Sequence, residues 1–216
     1  GECSTNLKKT HSETLMPMAE SLMKMLDLKP ADLDAIAVSS GPGSFTGLRI
    51  GVAAAKGMAL ALDIPAIAVP TLDGLAYNLF GTRGLVCPIM DARRNQVYTS
   101  IYRFEGDELK KLCPNRAMDI VELMDELGTF GEPVIWLGDG VPVYKEKIRE
   151  CFKGEYAFAP LHLNYQRAAA AGVLAHKLYL EGKAISADDL RPDYLRLAQA
   201  ERELKEKNIP YDPDKY

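Results

Sequence analysis

Apolar positions recur along the chain in two periods, and their alternation predicts an α/β layered fold. Over residues 11–28 the period is helical: Leu15, Met16, Met18, Ala19, Leu22, Met23, Met25 and Leu26 cover about half the circumference at ~100° per residue. Thr10 or Ser12 can cap this helix, Glu13 sits in its first turn, and Lys29-Pro30 ends it. A single buried stripe needs less width than that. Residues 35–39 read as a short strand running into Ser40-Gly41-Pro42-Gly43-Ser44-Phe45-Thr46-Gly47, after which a second helix continues to about Leu62. Residues 64–69 form another strand, followed by a helix capped by Thr71 and running to about Leu79. Strands alternating with helices predict a largely parallel sheet.

A second series starts with a strand over 85–90. Residues 96–104 alternate around Val97, Thr99, Ile101 and Arg103 before the turn Glu105-Gly106-Asp107, which predicts an antiparallel hairpin. Residues 119–127 read as a helix, 134–137 as a strand ending in Gly138-Asp139-Gly140, and 163–180 as a long alanine-rich helix. The chain thus divides into a first α/β lobe over 1–81 and a second over 82–200, whose closing helix returns toward the first. A charged tail follows over 201–216.

The second helix carries only two charges between Leu48 and Leu62, Arg49 and Lys56, seven residues apart and so on one narrow strip that Asp63 continues. That strip is expected to be solvated. Every other direction is apolar or glycine, so the helix must be covered on both sides, by its own sheet and by either a large core or a partner. Gly51, Ala53, Ala54, Ala55, Gly57 and Ala59 would let another element approach closely. Together with the wide Met-rich face of the first helix, this points to an association surface containing Leu15, Met16, Met23, Ile50, Ala54, Ala55 and Met58. A fully internal helix remains the competing reading.

Composition narrows the function classes. The 216 residues carry a net charge of −4 and 26% charged residues, which is ordinary for a globular protein and gives no strong electrostatic footprint for nucleic acid. The longest low-polarity run, 50–62, is interrupted by Lys56 and falls short of the roughly 20 residues of a membrane span. Cys3, Cys87, Cys113 and Cys151 are widely spaced, and the N-terminus has no secretory pattern, so reduced thiols in a cytoplasmic protein are expected. His11, His162 and His176 lack metal-ligand spacing, and no metal site is expected.

Gly41, Gly43 and Gly47 lie in a turn feeding a helix N-terminus, where unpaired N–H groups favour an anion or where backbones pack closely. The spacing fits neither of the standard phosphate-loop patterns, and no lysine follows. Asp91 at one strand end, with Gly138 and Gly140 beyond another, occupies the region where an α/β fold places nucleotide contacts, again without a basic partner. Tight packing at the glycines and a turn or cap role for the aspartate are therefore the preferred readings, and Gly41, Gly43, Asp91, Gly138 and Gly140 are only weak candidates for a nucleotide. Arg93 and Arg94 can meet an RNA phosphate or form a solvated face. No residue reads as catalytic.

The run from Ser39-Ser40-Gly41-Pro42-Gly43-Ser44 through Phe45-Thr46-Gly47-Leu48-Arg49-Ile50-Gly51 resembles the hallmark of the TsaB/YeaZ family. Further resemblances follow in order: His11-Ser12-Glu13, Asp91-Ala92-Arg93-Arg94 before Val97-Tyr98, Gly138-Asp139-Gly140, and Pro192-Asp193-Tyr194-Leu195-Arg196. The resemblance implies an actin-like fold (ASKHA, ribonuclease H-like) of two related α/β lobes, each built on a mixed sheet. It further implies a non-catalytic scaffold and activator of the complex that transfers threonylcarbamoyl to the adenosine beside the anticodon of tRNAs reading ANN codons. The implied partners are a TsaD-type paralogue, which carries the metal and the transfer site, a TsaE-type ATPase, and a second copy of the chain when it is alone. Under this reading tRNA is held mainly by partners, no membrane is involved, no cofactor is required, and weak nucleotide binding is permitted. Tyr194 and Arg196 would dock the closing segment or serve the ATPase. The family pattern opens with a strand and an Asp-Thr-Ser turn, and this sequence starts after it, so those N-terminal strands are expected to be missing. Two other functions compete: an ATP-using small-molecule kinase of the same superfold and a metallopeptidase, the latter lacking paired metal ligands.

Overall fold

The computed structural model describes residues 1–5 and 11–195, except for the side chain of His11. Its first helix, α1 (His11–Met25), ends a turn earlier than the apolar pattern suggests, because Leu28 N–H folds back to the Met23 carbonyl. Strand β1 (Ile36–Gly41) leads into α2 (Phe45–Leu62), capped by the Ser44 hydroxyl on the Gly47 N–H at 3.4 Å and closed by Asp63 in the left-handed region. Strand β2 (Ala66–Pro70) runs parallel to β1. Helix α3 (Thr71–Tyr77) follows at once, with Pro70 rather than Thr71 at its cap position.

The second sheet is mixed rather than largely parallel. Strand β3 (Leu85–Asp91) is antiparallel to β4 (Gln96–Thr99) and β5 (Tyr102–Glu105), and parallel to β8 (Val134–Leu137), which pairs in turn with β9 (Tyr156–Phe158). Strand β6 (Glu108–Lys111) closes the hairpin through Gly106 at φ 61°, and β7 (Arg116–Asp119) pairs with β4. The single strand expected over 96–104 is broken at Ser100 and Ile101. Cys113 holds the break: its carbonyl accepts from Ser100 Oγ at 2.6 Å, and its sulfur accepts from Ile101 N–H at 3.2 Å. Helices α4 (Ile120–Phe130, capped by Asp119), α5 (Val141–Cys151) and α6 (Ala168–Leu180) complete the fold.

Three apolar layers belong to single sheets, one of them joining Ile67 and Val69 of β2 to Ala175 of α6. Leu85, Cys87, Ile89, Val97, Trp136 and Ile148 pack with α4 and α5, whereas Val52, Ala55 and Ala59 of α2 pack with Ala66 and with Ala187 and Leu190 from the C-terminal segment. After α6 the chain runs along the first sheet, where Ile185 and Ala66 exchange N–H···O bonds of 2.9 Å. Among the described helices α2 alone has the length and hydropathy of a membrane span, a mean hydropathy of 1.3 over 18 residues. Its buried side chains Leu48, Val52, Ala55 and Ala59 lie on one side at helical spacing, which is the pattern of a core helix.

Candidate functional site: two glycine-rich turns and a helical face

At the first glycine-rich turn, Gly41 has φ 139°, and a Cβ placed on it would lie 2.1 Å from the Asp193 carbonyl oxygen. Asp193 N–H in turn donates to the Ser40 carbonyl at 2.7 Å. Residues 188–194 therefore cross the turn as a strap, and the glycine is there to admit backbone. Tyr194 stacks on Phe45 with centroids 4.8 Å apart, the Arg49 guanidinium lies 4.0 Å over the Phe45 ring, and Arg49 Nε donates to the Tyr194 hydroxyl at 3.1 Å. Lys56 donates to the Asp188 carbonyl at 2.8 Å. The strip expected to be solvated is thus the seat of the strap. Arg196 and the charged tail lie outside the described residues.

The second glycine-rich turn is closed in the same way. Cβ atoms on Gly138 and Gly140 would lie 2.1 and 2.9 Å from the Ile89 carbonyl oxygen, which already accepts from Gly140 N–H at 3.0 Å. The Asp91 carboxylate accepts from Arg93 N–H at 2.9 Å and from the Tyr144 hydroxyl at 3.1 Å, and Asp91 N–H donates to Asp139 Oδ1 at 3.3 Å. Asp139 is exposed as a residue, but its carboxyl turns back onto β3. Desolvation there raises its pKa, the hydrogen bond from Asp91 N–H opposes the rise, and the Asp91 charge adds to it. Burial, followed by the Asp91 hydrogen bond and charge, pushes the Tyr144 phenol up to about 12.

Two carboxylates at one strand edge disfavour a phosphate. The structure brings Asp91, Gly138 and Gly140 together around Ile89. It places Gly41 under the strap instead, and of the five nucleotide candidates only Gly43 lines the cleft of about 500 Å³ between residues 1–5, α1 and the first turn. Arg93, Arg94 and Asn95 form the β3–β4 turn with φ of 62°, 55° and 60°.

Helices α1 and α2 pack on each other. Leu15 and Met16 are 37% and 47% exposed, and Met25, Leu26 and Leu28 continue the open apolar surface. Met23, Ile50, Ala54 and Met58 are half-buried. Ala55 corrects the expectation: it is 3% exposed and packs in the first-sheet core with Val52 and Ala59, so no partner can reach it in this fold. The open stripe of α2 is Ala53, Gly57 and Leu60, beside the residues the sequence points to. Only the buried phase of the helix, Leu48-Val52-Ala55-Ala59, could have signalled that offset.

Comparison with known proteins agrees with this architecture. Residues 5–204 match the family described as "TsaD: tRNA N6-adenosine threonylcarbamoyltransferase". The chain is 40% identical to the tRNA threonylcarbamoyladenosine biosynthesis protein TsaB of Bacillus subtilis, over 93% of this chain and 86% of that protein. It is 28% identical to the TsaB of Escherichia coli, over 86% of this chain and 80% of that one. YeaZ from Pseudomonas aeruginosa superposes with a TM-score of 0.72 at 24% identity, over 88% of this chain and 87% of that chain. The fold is thus the two-lobed, actin-like α/β fold of TsaD-like proteins. Within that class, the chain belongs to the TsaB/YeaZ family.

Proposed function

We propose that this chain is a non-catalytic scaffold subunit in the biosynthesis of threonylcarbamoyladenosine on tRNA, docking a TsaD-type paralogue through α1 and α2. The observation that carries the reading is the paired helical face: Leu15, Met16, Met25 and Leu60 stand at least one-third exposed on two helices that pack on each other, and Leu26 and Leu28 extend the open surface just past the end of α1. A monomer that leaves such a patch open exposes what a partner normally covers. The 40% identity to a TsaB supplies the pathway. Gly41, Gly138 and Gly140 all facing the chain's own backbone supports a role that requires no nucleotide, with at most weak binding. In this reading the chain is cytoplasmic, a TsaE-type ATPase and the tRNA join through the assembled complex, and the same face pairs two copies when the paralogue is absent.

The test is co-purification with a TsaD-type paralogue, with light scattering on the chain alone. Leu15→Glu and Leu60→Glu should each weaken complex and homodimer together while thermal unfolding stays unchanged. If both variants are folded and bind normally, the docking face lies elsewhere.

A further inference from the structure

The two sheets share one helix. Leu72, Leu75 and Ala76 of α3, with Leu79 just beyond it, form a buried cluster with Val86 of β3, Tyr102 of β5 and Leu137 of β8. The same helix packs on β1, β2 and α6, and a Cβ on Gly74 would stand 3.9 Å from Ala171. A hinge opening between the sheets would therefore expose leucines that are now 0–5% accessible. Hinges in proteins that close on ligands fall instead in a few loop or element-terminal residues.

The rim of this shared layer carries a polar clasp. Asp73, in the first turn of α3, accepts on one carboxylate oxygen both the Tyr102 hydroxyl at 2.7 Å and the Lys111 ammonium at 2.6 Å. Tyr102 and Lys111 face each other across the β5–β6 hairpin of the second sheet. Tyr102 is fully buried, and that burial, together with the Asp73 charge, holds its phenol protonated as a donor. Two further ties lie nearby: Lys177 of α6 donates to the Asp107 carbonyl at 3.4 Å at the hairpin turn, and Asn78 donates to the Leu163 and Tyr165 carbonyls at 2.9 Å each.

We propose that Asp73 is a positioning residue that, through Tyr102 and Lys111, fixes the angle between the two sheets, so that the chain presents its surfaces as one rigid body and does not open and close on a nucleotide. This does not rest on the docking face assigned above. A scaffold of either kind, with its partner on α1 and α2 or elsewhere, would gain preorganisation from it.

The measurement is the distance between spin labels on Cys151, which is exposed at the end of α5, and on a cysteine introduced by Ala61→Cys at the exposed end of α2. It uses a Cys3→Ser background, labelled briefly so that the slower, half-buried Cys113 stays unmodified, with two labels per chain confirmed by mass, and diluted with unlabelled chain to remove contacts between copies. The intact protein should give one narrow distance, unchanged by ATP and magnesium. Asp73→Ala should broaden or split it, Asp73→Asn and Lys111→Met should broaden it less, and cooperative thermal unfolding should persist. Two distances in the intact protein, a shift on adding nucleotide, or an Asp73→Ala variant as narrow as the parent would each overturn the proposal. If Asp73→Ala does not fold, Asp73→Asn and Lys111→Met decide by the same criterion.

Discussion

The carbonyl of Asp193 rests against Gly41 at a distance no side chain allows: a Cβ on Gly41 would be 2.1 Å from the oxygen, and the φ of 139° is itself closed to L residues. Gly41→Ala should therefore cost roughly 2–4 kcal/mol, seen as a fall in the unfolding midpoint. A Cβ on Gly43 would meet nothing nearer than the Leu48 side chain, at 3.5 Å, and its φ is not in the left-handed region. Gly43→Ala should cost less than about 1 kcal/mol. Equal effects at the two glycines would mean that the strap does not set the requirement.

Arg49 provides a second hold on the strap. Its guanidinium lies over Phe45 and its Nε reaches Tyr194, so Arg49→Ala removes a cation–π contact and a hydrogen bond worth about 1 kcal/mol together. The expected sign is faster amide exchange at Asp193, whose N–H is held by the Ser40 carbonyl. Lys56→Ala should loosen the same amide less, since Lys56 holds Asp188 further back along the chain.

Asp139 gives a pH signature. Its folded pKa is raised, so its ionisation opposes folding as pH climbs from the usual carboxylate value through the folded one. Asp139→Asn keeps an oxygen for the Asp91 N–H while removing the charge. The variant should be more stable than the parent at neutral pH, and the gain should shrink as pH falls through the carboxylate range. Unfolding midpoints measured across that range check it, and a gain that grows toward acid would contradict the assignment.

Much of this fold was legible because apolar residues mark the covered faces of each element. The strand over 134–137 is apolar throughout because Val134 and Trp136 pack in one buried cluster and Ile135 and Leu137 in another, and the helix ending at Leu62 carries its buried side chains at helical spacing. The break in 96–104 was not legible, because a hydroxyl and a thiol cause it: Ser100 and Ile101 are drawn out of line by Cys113, a residue twelve or more positions away. Helix α5 was missed for a different reason. Pro142 reads as a breaker and the run Lys145-Glu146-Lys147 interrupts the apolar pattern, leaving Val141, Tyr144 and Ile148 as its buried residues. At the candidate site, composition located α1 and α2 correctly as apolar helices but could not fix which side of α2 met its own sheet. Nor could it foresee a strap from residues 188–194, since close approach of distant backbone leaves only an unassigned glycine as its trace.

The thiols divide by depth. Cys87 is fully buried, and burial pushes its thiol up to about 12, whereas Cys3 and Cys151 are exposed. A thiol reagent at neutral pH should modify Cys3 and Cys151 at once, Cys113 slowly, and Cys87 only on unfolding. Rapid modification of a third thiol in the folded protein would place Cys113 at the surface.

The register of α2 makes the sharpest prediction, because three adjacent alanines there face three different surroundings. Ala55 is 3% exposed against Val52, Ala59, Ala66 and Leu190, so Ala55→Glu places a carboxylate in an apolar layer with no cation to pair with it. That should cost more than about 3 kcal/mol, or prevent folding altogether. Ala53 faces solvent, and Ala53→Glu should change stability by no more than about 0.5 kcal/mol. Its effect should appear in association instead, since a charge set into an apolar contact must be desolvated without a partner. Ala54, half-buried, should fall between the two in stability. Thermal unfolding of the three variants, paired with light scattering and co-purification with the paralogue, separates folding from docking. An Ala53→Glu chain that unfolds, or an Ala55→Glu chain that folds like the parent, would show that the helix is rotated from the phase described.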